Sequence, residues 1–181
     1  SRDALAYAMA DRIDQLAFLT LSGVSYTQKN NGALRGTTSS LSSLEFASDV
    51  SAPTANRHRR WDATNGLSAG DTSAVDAADT LAYKCIVELK AFAKDNYIRG
   101  IRGAGNEEMF HLFVTPQQMA DLKLDSDFLT NVRQAAIRGP ENSLFSGSSS
   151  LMVDGIMIHE FRHVYNNTGA ATKWGSSSNV E

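Results

Sequence analysis

His159, Glu160 and His163 stand in the order H-E-x-x-H within DGIMIHEFRHVYNNTG, residues 154 to 169. These residue types at this spacing build a catalytic zinc centre when they lie on a helix. Residues i and i+4 then share one face about 5–6 Å apart, two imidazoles reach one ion, and the glutamate acts as general base. On a strand, four residues span about 13 Å and the two rings cannot share a metal. The local residues favour the strand. Ile156, Ile158, Val164 and Tyr165 are strand formers, Asp154-Gly155 is a hairpin-turn pair directly before them, and Asn166-Asn167-Thr168-Gly169 closes the run. A strand over residues 156 to 165 is expected. It would place His159 and His163 on the side of Met157, Phe161 and Tyr165, with Glu160 and Arg162 on the other. The third ligand is also lacking: the longer metzincin signature needs a glycine and a histidine where this chain has Asn166 and Gly169. Only Glu181, on a Ser-rich tail, could act as a distant carboxylate ligand. A zinc hydrolase using His159, His163 and Glu160 is therefore the alternative reading, with no metal site expected.

Other candidate chemistry is weaker still. Gly66-Leu67-Ser68-Ala69-Gly70 matches G-x-S-x-G, but a nucleophile elbow needs a buried strand before it and a helix directly after it. RRWDATN and DTSAVDAA supply neither. Gly100, Gly103 and Gly105 follow a helix and precede a strand, the reverse of a phosphate-binding loop, and read as a turn. Cys85 lies among apolar residues at helical spacing and reads as an inert core thiol; as the single cysteine it allows no internal disulfide. The run Arg57-His58-Arg59-Arg60, beside Trp61, is the best candidate for touching a phosphate backbone or an acidic neighbour. The sequon Asn166-Asn167-Thr168 has no secretory context to give it meaning. No catalytic residue and no cofactor site is expected.

The elements that would carry these residues follow from periodicity. Leu5, Met9, Ile13, Leu16 and Leu19 mark an amphipathic helix over residues 3 to 20, stopped at Ser22-Gly23. Residues 26 to 70 are rich in Gly, Ser, Thr and Asn and read as a long, exposed, irregular region. Asp79 is a suitable N-cap for a helix carrying Ala82, Cys85, Ile86, Leu89, Phe92 and Ala93 to about Lys94. Met109 to Val114 reads as a buried strand. Thr115-Pro116-Gln117-Gln118 joins an N-cap, a first-turn proline and a capping-box glutamine, so a short helix starts there. Ser126 is expected to cap a further helix ending at Gly139-Pro140, and a terminal β-hairpin follows around Asp154-Gly155.

The 181 residues, 42% of them hydrophobic, suffice for one ordinary domain with its own core, or a domain plus an extended arm. Seventeen Lys and Arg against twenty Asp and Glu give a net charge of -3, so no global basic excess marks a dedicated nucleic-acid binder. No apolar run is long enough to cross a bilayer, and the charged N-terminal stretch SRDALAYAMADR does not resemble a signal peptide; a soluble, unexported protein is expected. The chain starts at Ser1 within a periodic helix and reads as a piece of something longer.

The order of elements and the wording of several stretches resemble major capsid proteins of tailed bacteriophages, in the branch typified by N4-like podophages. The stretches are DALAYAMADRIDQLAFLTLSGVSY, SAPTANRHRRWDA, AADTLAYKCIVELKAFAKDNYIRGIR, EMFHLFVTPQQMADLKLDSDFLTNVRQAAIRGPENSLFSG and VDGIMIHEFRHVYN. They cover most of residues 2 to 166, and the last two are the most specific. The resemblance implies an α+β fold shared with encapsulins and the herpesvirus capsid floor. In that fold residues 1–23 would be the spine helix of a peripheral domain and 24–150 an axial domain with long polar loops. Residues 151–181 would be a hairpin returning to the peripheral domain. The family's N-terminal arm, its extended loop before the spine helix and its chain beyond residue 181 have no counterpart here. It further implies a non-enzymatic virion protein that assembles with itself into hexamers and pentamers around double-stranded DNA, in the host bacterial cytoplasm. Scaffolding and portal proteins would be its other partners, with no membrane involved. Arg57, Arg59 and Arg60 are the candidate subunit or DNA contacts. A ring-forming phage scaffold or adaptor, differing mainly in symmetry, is the other structural-protein reading.

Overall fold

The computed structural model describes residues 2–37, 54, 57–69, 74–103, 107–135 and 150–170. The chain falls into two compact units. One comprises Ser1–His58, Asp71–Ala77 and His163–Glu181; the other comprises Arg59–Gly70 and Ala78–Arg162.

The first unit is built on helix α1, Arg2–Leu21. Alanine and unbranched side chains dominate it, and these lose little conformational freedom in a helix. Gly23 ends it in the left-handed region at φ +69°, where its N–H reaches Thr20 and that of Val24 reaches Leu19. Of the apolar stripe only Leu19 is buried; Leu5, Met9 and Ile13 are largely exposed. Residues 28 to 34 form a tight loop closed by a bridge between Gln28 and Leu34. Buried Asn30 sits at its centre, donating from its side-chain amide to the carbonyls of Gln15 (3.0 Å) and His163 (2.7 Å). The backbone N–H groups of Asn166 and Gly169 then bond the carbonyls of Asn30 and Asn31. Gly32, at φ +80°, is needed there: a Cβ would lie 2.9 Å from the Asn167 backbone.

The second unit contains helix α2 (Tyr83–Asp95), strands β1 (Ile101–Arg102) and β2 (Glu108–Val114), helices α3 (Pro116–Leu124) and α4 (Ser126–Ala135), and strands β3 (Ser150–Val153) and β4 (Ile156–Glu160). The sheet order is β1-β2-β4-β3, with β2 and β4 parallel and both outer pairs antiparallel. A parallel pair cannot be closed by a tight turn, and α3, α4 and β3 fill the connection. Alternation divides the sheet. Val114, Leu151, Ile156 and Ile158 are buried with Ile86, Met119, Leu122 and Phe128, and Phe110, Leu112 and Val153 pack against that cluster. Met109, His111, Phe113, Met152, Met157 and His159 alternate with them onto the other face.

Several sequence expectations change here. The strand over residues 109 to 114 is only half-buried, because just one of its faces meets the helices. Asp79 does not cap α2: that helix starts at Tyr83, and the Asp79 carboxylate instead accepts from the Ala63 N–H at 2.8 Å. Ser126 is the first helical residue of α4 and not its cap. Asp125 takes that role, its Oδ2 accepting from Phe128 N–H (3.0 Å) and, across the unit, from Tyr83 N–H (3.1 Å). One carboxylate thus serves the first turns of two helices. The capping box of α3 forms as the sequence reads, with Thr115 Oγ1 accepting from Gln118 N–H and the Gln118 side chain accepting from Thr115 N–H. The Asp154-Gly155 hairpin forms too, both residues at positive φ, with Lys90 Nζ held 2.8 Å from Asp154 Oδ1. The expected end of α4 at Gly139-Pro140 lies outside the described residues. Among the described residues no helix is long and apolar enough to cross a membrane.

The shared cap separates two otherwise similar substitutions. Thr115→Ala should cost about 1 kcal/mol. Asp125→Ala strands donors at two helix starts and should cost about twice that, measured as the shift in urea-denaturation free energy.

Candidate functional site

The H-E-x-x-H residues do not form one site. β4 is a strand over Ile156–Glu160, so the helical arrangement that a shared zinc requires is not met. The strand is shorter than the expected 156 to 165. Phe161 N–H still donates to Val114 O at 3.0 Å, after which Arg162 and His163 turn. The alternation expected for Phe161, Arg162, His163 and Tyr165 therefore does not continue from β4.

Each histidine has its own partner. His163 belongs to the first unit, where its Nε2 lies 2.6 Å from Asp11 Oδ1 of α1 and its carbonyl accepts from Asn30. His159 belongs to the second unit and meets His111 of β2, with Nδ1 of His111 2.8 Å from Nε2 of His159. The Phe113 ring stacks on His159, centroids 5.0 Å apart. Glu160 ends the strand on the opposite side of the alternation. Among the described residues no three His, Cys, Asp or Glu side chains gather in a way that could hold a metal ion. Glu181 lies outside the described residues. His111 was not singled out from the sequence; its signal is a polar residue at an alternate position of the otherwise apolar run MFHLFV.

Gly70 of the G-x-S-x-G stretch lies outside the described residues. Residues 60 to 68, including Gly66-Leu67-Ser68 of that stretch, form a second tight loop closed by paired backbone hydrogen bonds between Arg60 and Ser68 at 3.0 Å each. Gly66 turns it at φ +81°, and Glu88 of α2 anchors it by accepting from Leu67 N–H at 2.9 Å. Ser68 Oγ faces the Arg60 guanidinium, 3.4 Å away, and is not poised as a nucleophile. In place of a simple helix-to-strand turn, Gly100 and Gly103 flank the two-residue strand β1, which pairs antiparallel with β2; Gly105 lies outside the described residues.

The basic run is split by its contacts. Arg59 lies 4.4 Å over the Phe92 ring of α2. Arg60 pairs with Asp62 at 3.3 Å. The Asp62 carboxyl is held below the usual carboxylate range by the N–H and side-chain amide of Asn65, with Arg60 a lesser contributor. Both arginines are partly buried, whereas Arg57 and His58 are exposed. Trp61 donates from Nε1 to Thr80 O at 3.0 Å. Of the three arginines, Arg57 is the one presented most fully to solvent.

The fold defines the class first. The chain superposes on the capsid of Ralstonia phage GP4 with a TM-score of 0.62 at 20% identity, over 98% of this chain and 47% of that one, so the α+β fold is that of a phage capsid subunit. A model of the family described as phage capsid protein matches residues 1–179. The major capsid protein of Pseudomonas phage KPP25 is 56% identical over 185 aligned positions, spanning all of this chain and 49% of that protein. The chain belongs to the phage capsid protein family. It spans about half the length of the relatives it matches.

Two groups make the fold sensitive to alkali. Burial, with Glu88 nearby, pushes the Cys85 thiol up to about 12, and burial pushes the Tyr165 hydroxyl up to about 12 while it donates to Gln28. Both are raised relative to the unfolded chain, so their stabilising effect is complete below about pH 9, where an unfolded thiol begins to ionise, and is lost as pH climbs toward 12. The denaturation midpoint should fall over that window, and Cys85 should react with a thiol reagent at pH 8 only as fast as the chain opens.

Proposed function

We propose that the chain is part of a major capsid subunit whose copies assemble as hexamers and pentamers into an icosahedral shell around double-stranded DNA. The observation that carries this is the 56% identity, across the entire chain, to a phage major capsid protein. In this reading residues 1–23, carrying α1, are the spine helix of the peripheral domain, residues 24–150 form the axial domain, and the hairpin of residues 151–181 returns to the peripheral domain. The protein's work is done by interfaces and not by catalysis. It would be built into the virion after assembly in the host cytoplasm, with scaffolding and portal proteins as further partners.

Two features support the reading physically. A shell asks one polypeptide to make nearly the same contacts in slightly different settings, and polar loops on a fixed scaffold can adjust where a packed core cannot. The net charge of -3 also avoids the strong cationic field that would trap nucleic acid nonspecifically. Arg57, Arg59 and Arg60 remain the proposed subunit or DNA contact. Arg57 would make it directly, and Arg59 and Arg60 would hold the loop on Phe92 and Asp62.

Light scattering after size exclusion, on the complete gene product co-expressed with its phage's assembly proteins, should give a megadalton species. Arg57→Glu should shift mass from particles to capsomers or free subunits. A monomer under those conditions contradicts the shell reading, and particles unaffected by Arg57→Glu contradict the contact.

A further inference from the structure

We propose that His111 and His159 form a binding site for a late first-row divalent cation, Cu2+ above all, on the face of the sheet turned away from the helices. The site shares His159 with the H-E-x-x-H stretch, but its partner lies on the neighbouring strand and not four residues along the same one.

The parallel register creates the pair. Phe113 lies opposite His159 and His111 opposite Met157, so the two histidines are diagonal neighbours on one face. Their facing nitrogens are 2.8 Å apart, the ring planes within 8° of parallel and the centroids 5.1 Å apart. Two nitrogens bound to one ion at about 2.0–2.1 Å and at right angles would be about 2.9 Å apart, and about 3.4 Å apart in a tetrahedral arrangement. A small opening of the pair, with a turn of each ring toward a common point, therefore admits a cation. The hydrogen bond now joining the rings uses one N–H and one lone pair. A cation takes both facing lone pairs, and the displaced proton moves, by way of solvent, to the outer nitrogen of the donor ring.

Three features favour this over a passive surface contact. The pair is preorganised, since both residues lie on paired strands and Phe113 holds the His159 ring, so ordering two long-range ligands costs little further entropy. The other strand side chains sharing this face are Ile101, Met109, Phe113, Ser150, Met152 and Met157; among the described strand residues none on it is charged, so no fixed cation there opposes the metal. Imidazole donors with thioethers nearby and no carboxylate select copper, nickel or zinc over magnesium or calcium. His111 is exposed, which leaves the remaining coordination positions to water or to a donor from another molecule.

The test uses the protein without an affinity tag and stripped with chelator, titrated with Cu2+ by calorimetry and followed by electron paramagnetic resonance. One Cu2+ per chain with two imidazole nitrogens is expected, Ni2+ and Zn2+ binding more weakly and Mg2+ not at all. His111→Gln and His159→Gln should each weaken Cu2+ binding by about tenfold or more, while His58→Gln on an exposed loop leaves it unchanged. Circular dichroism checks that each variant folds; if one does not, the resonance spectrum of the unaltered protein decides. Absence of Cu2+ binding up to about 1 mM, a spectrum without two histidine nitrogens, or affinity unchanged in the folded glutamine variants overturns the proposal.

Discussion

Five backbone pairings between β2 and β4, from Phe110 with Ile156 to Val114 with Glu160, set the positions of most other groups in the second unit. They put Leu112, Val114, Ile156 and Ile158 on one side, where Ile86, Met119, Leu122 and Phe128 close over them. Burying such side chains contributes about 1.5–3 kcal/mol each, and the register makes that burial simultaneous. A slip of one residue would turn the apolar set to the wrong face. The same register brings His111 to His159 and leaves Glu160 at the end of the ladder. Strand geometry is thus what separates this chain from the metalloproteases whose signature it carries.

The connections show how few groups keep that arrangement in place. Asp125 serves the first turns of both α2 and α4, Glu88 anchors the 60–68 loop, and Lys90 holds the turn between β3 and β4. In the first unit, Asn30 joins α1 to the segment after β4 through two carbonyls at once. All four are polar side chains spanning elements distant in sequence. At Asn30, Asp125 and Glu88 an unbonded, partly or fully buried group costs more than the hydrogen bond itself contributes, whereas the exposed Lys90–Asp154 pair contributes less.

Local chemistry was legible in the sequence wherever it was self-contained. The Thr115 capping box and the Asp154-Gly155 turn each involve residues within four positions, and both form as read. The strand character of residues 156 to 160 followed from β-branched residues after a turn, and the resemblance to a capsid family came from the wording of long stretches. Contacts across the chain were not legible. Asp125 meets Tyr83 from 42 residues away and His111 meets His159 from 48, and no periodicity encodes either. The end of β4 was misread because Val164 and Tyr165 are strand formers, while the Asp11 and Asn30 contacts of His163 hold that segment in the first unit. The apolar period of α1 was visible, yet Leu5, Met9 and Ile13 are exposed. Periodicity reports a face suited to burial and not what covers it.

The most direct test of the shell reading is a cryo-electron-microscopy reconstruction of particles formed by the complete gene product. The account predicts a closed shell whose repeating subunit contains the β1-β2-β4-β3 sheet, with residues 156 to 160 paired parallel to β2. A reconstruction in which those residues are helical, or in which the subunits form no closed shell, would contradict it.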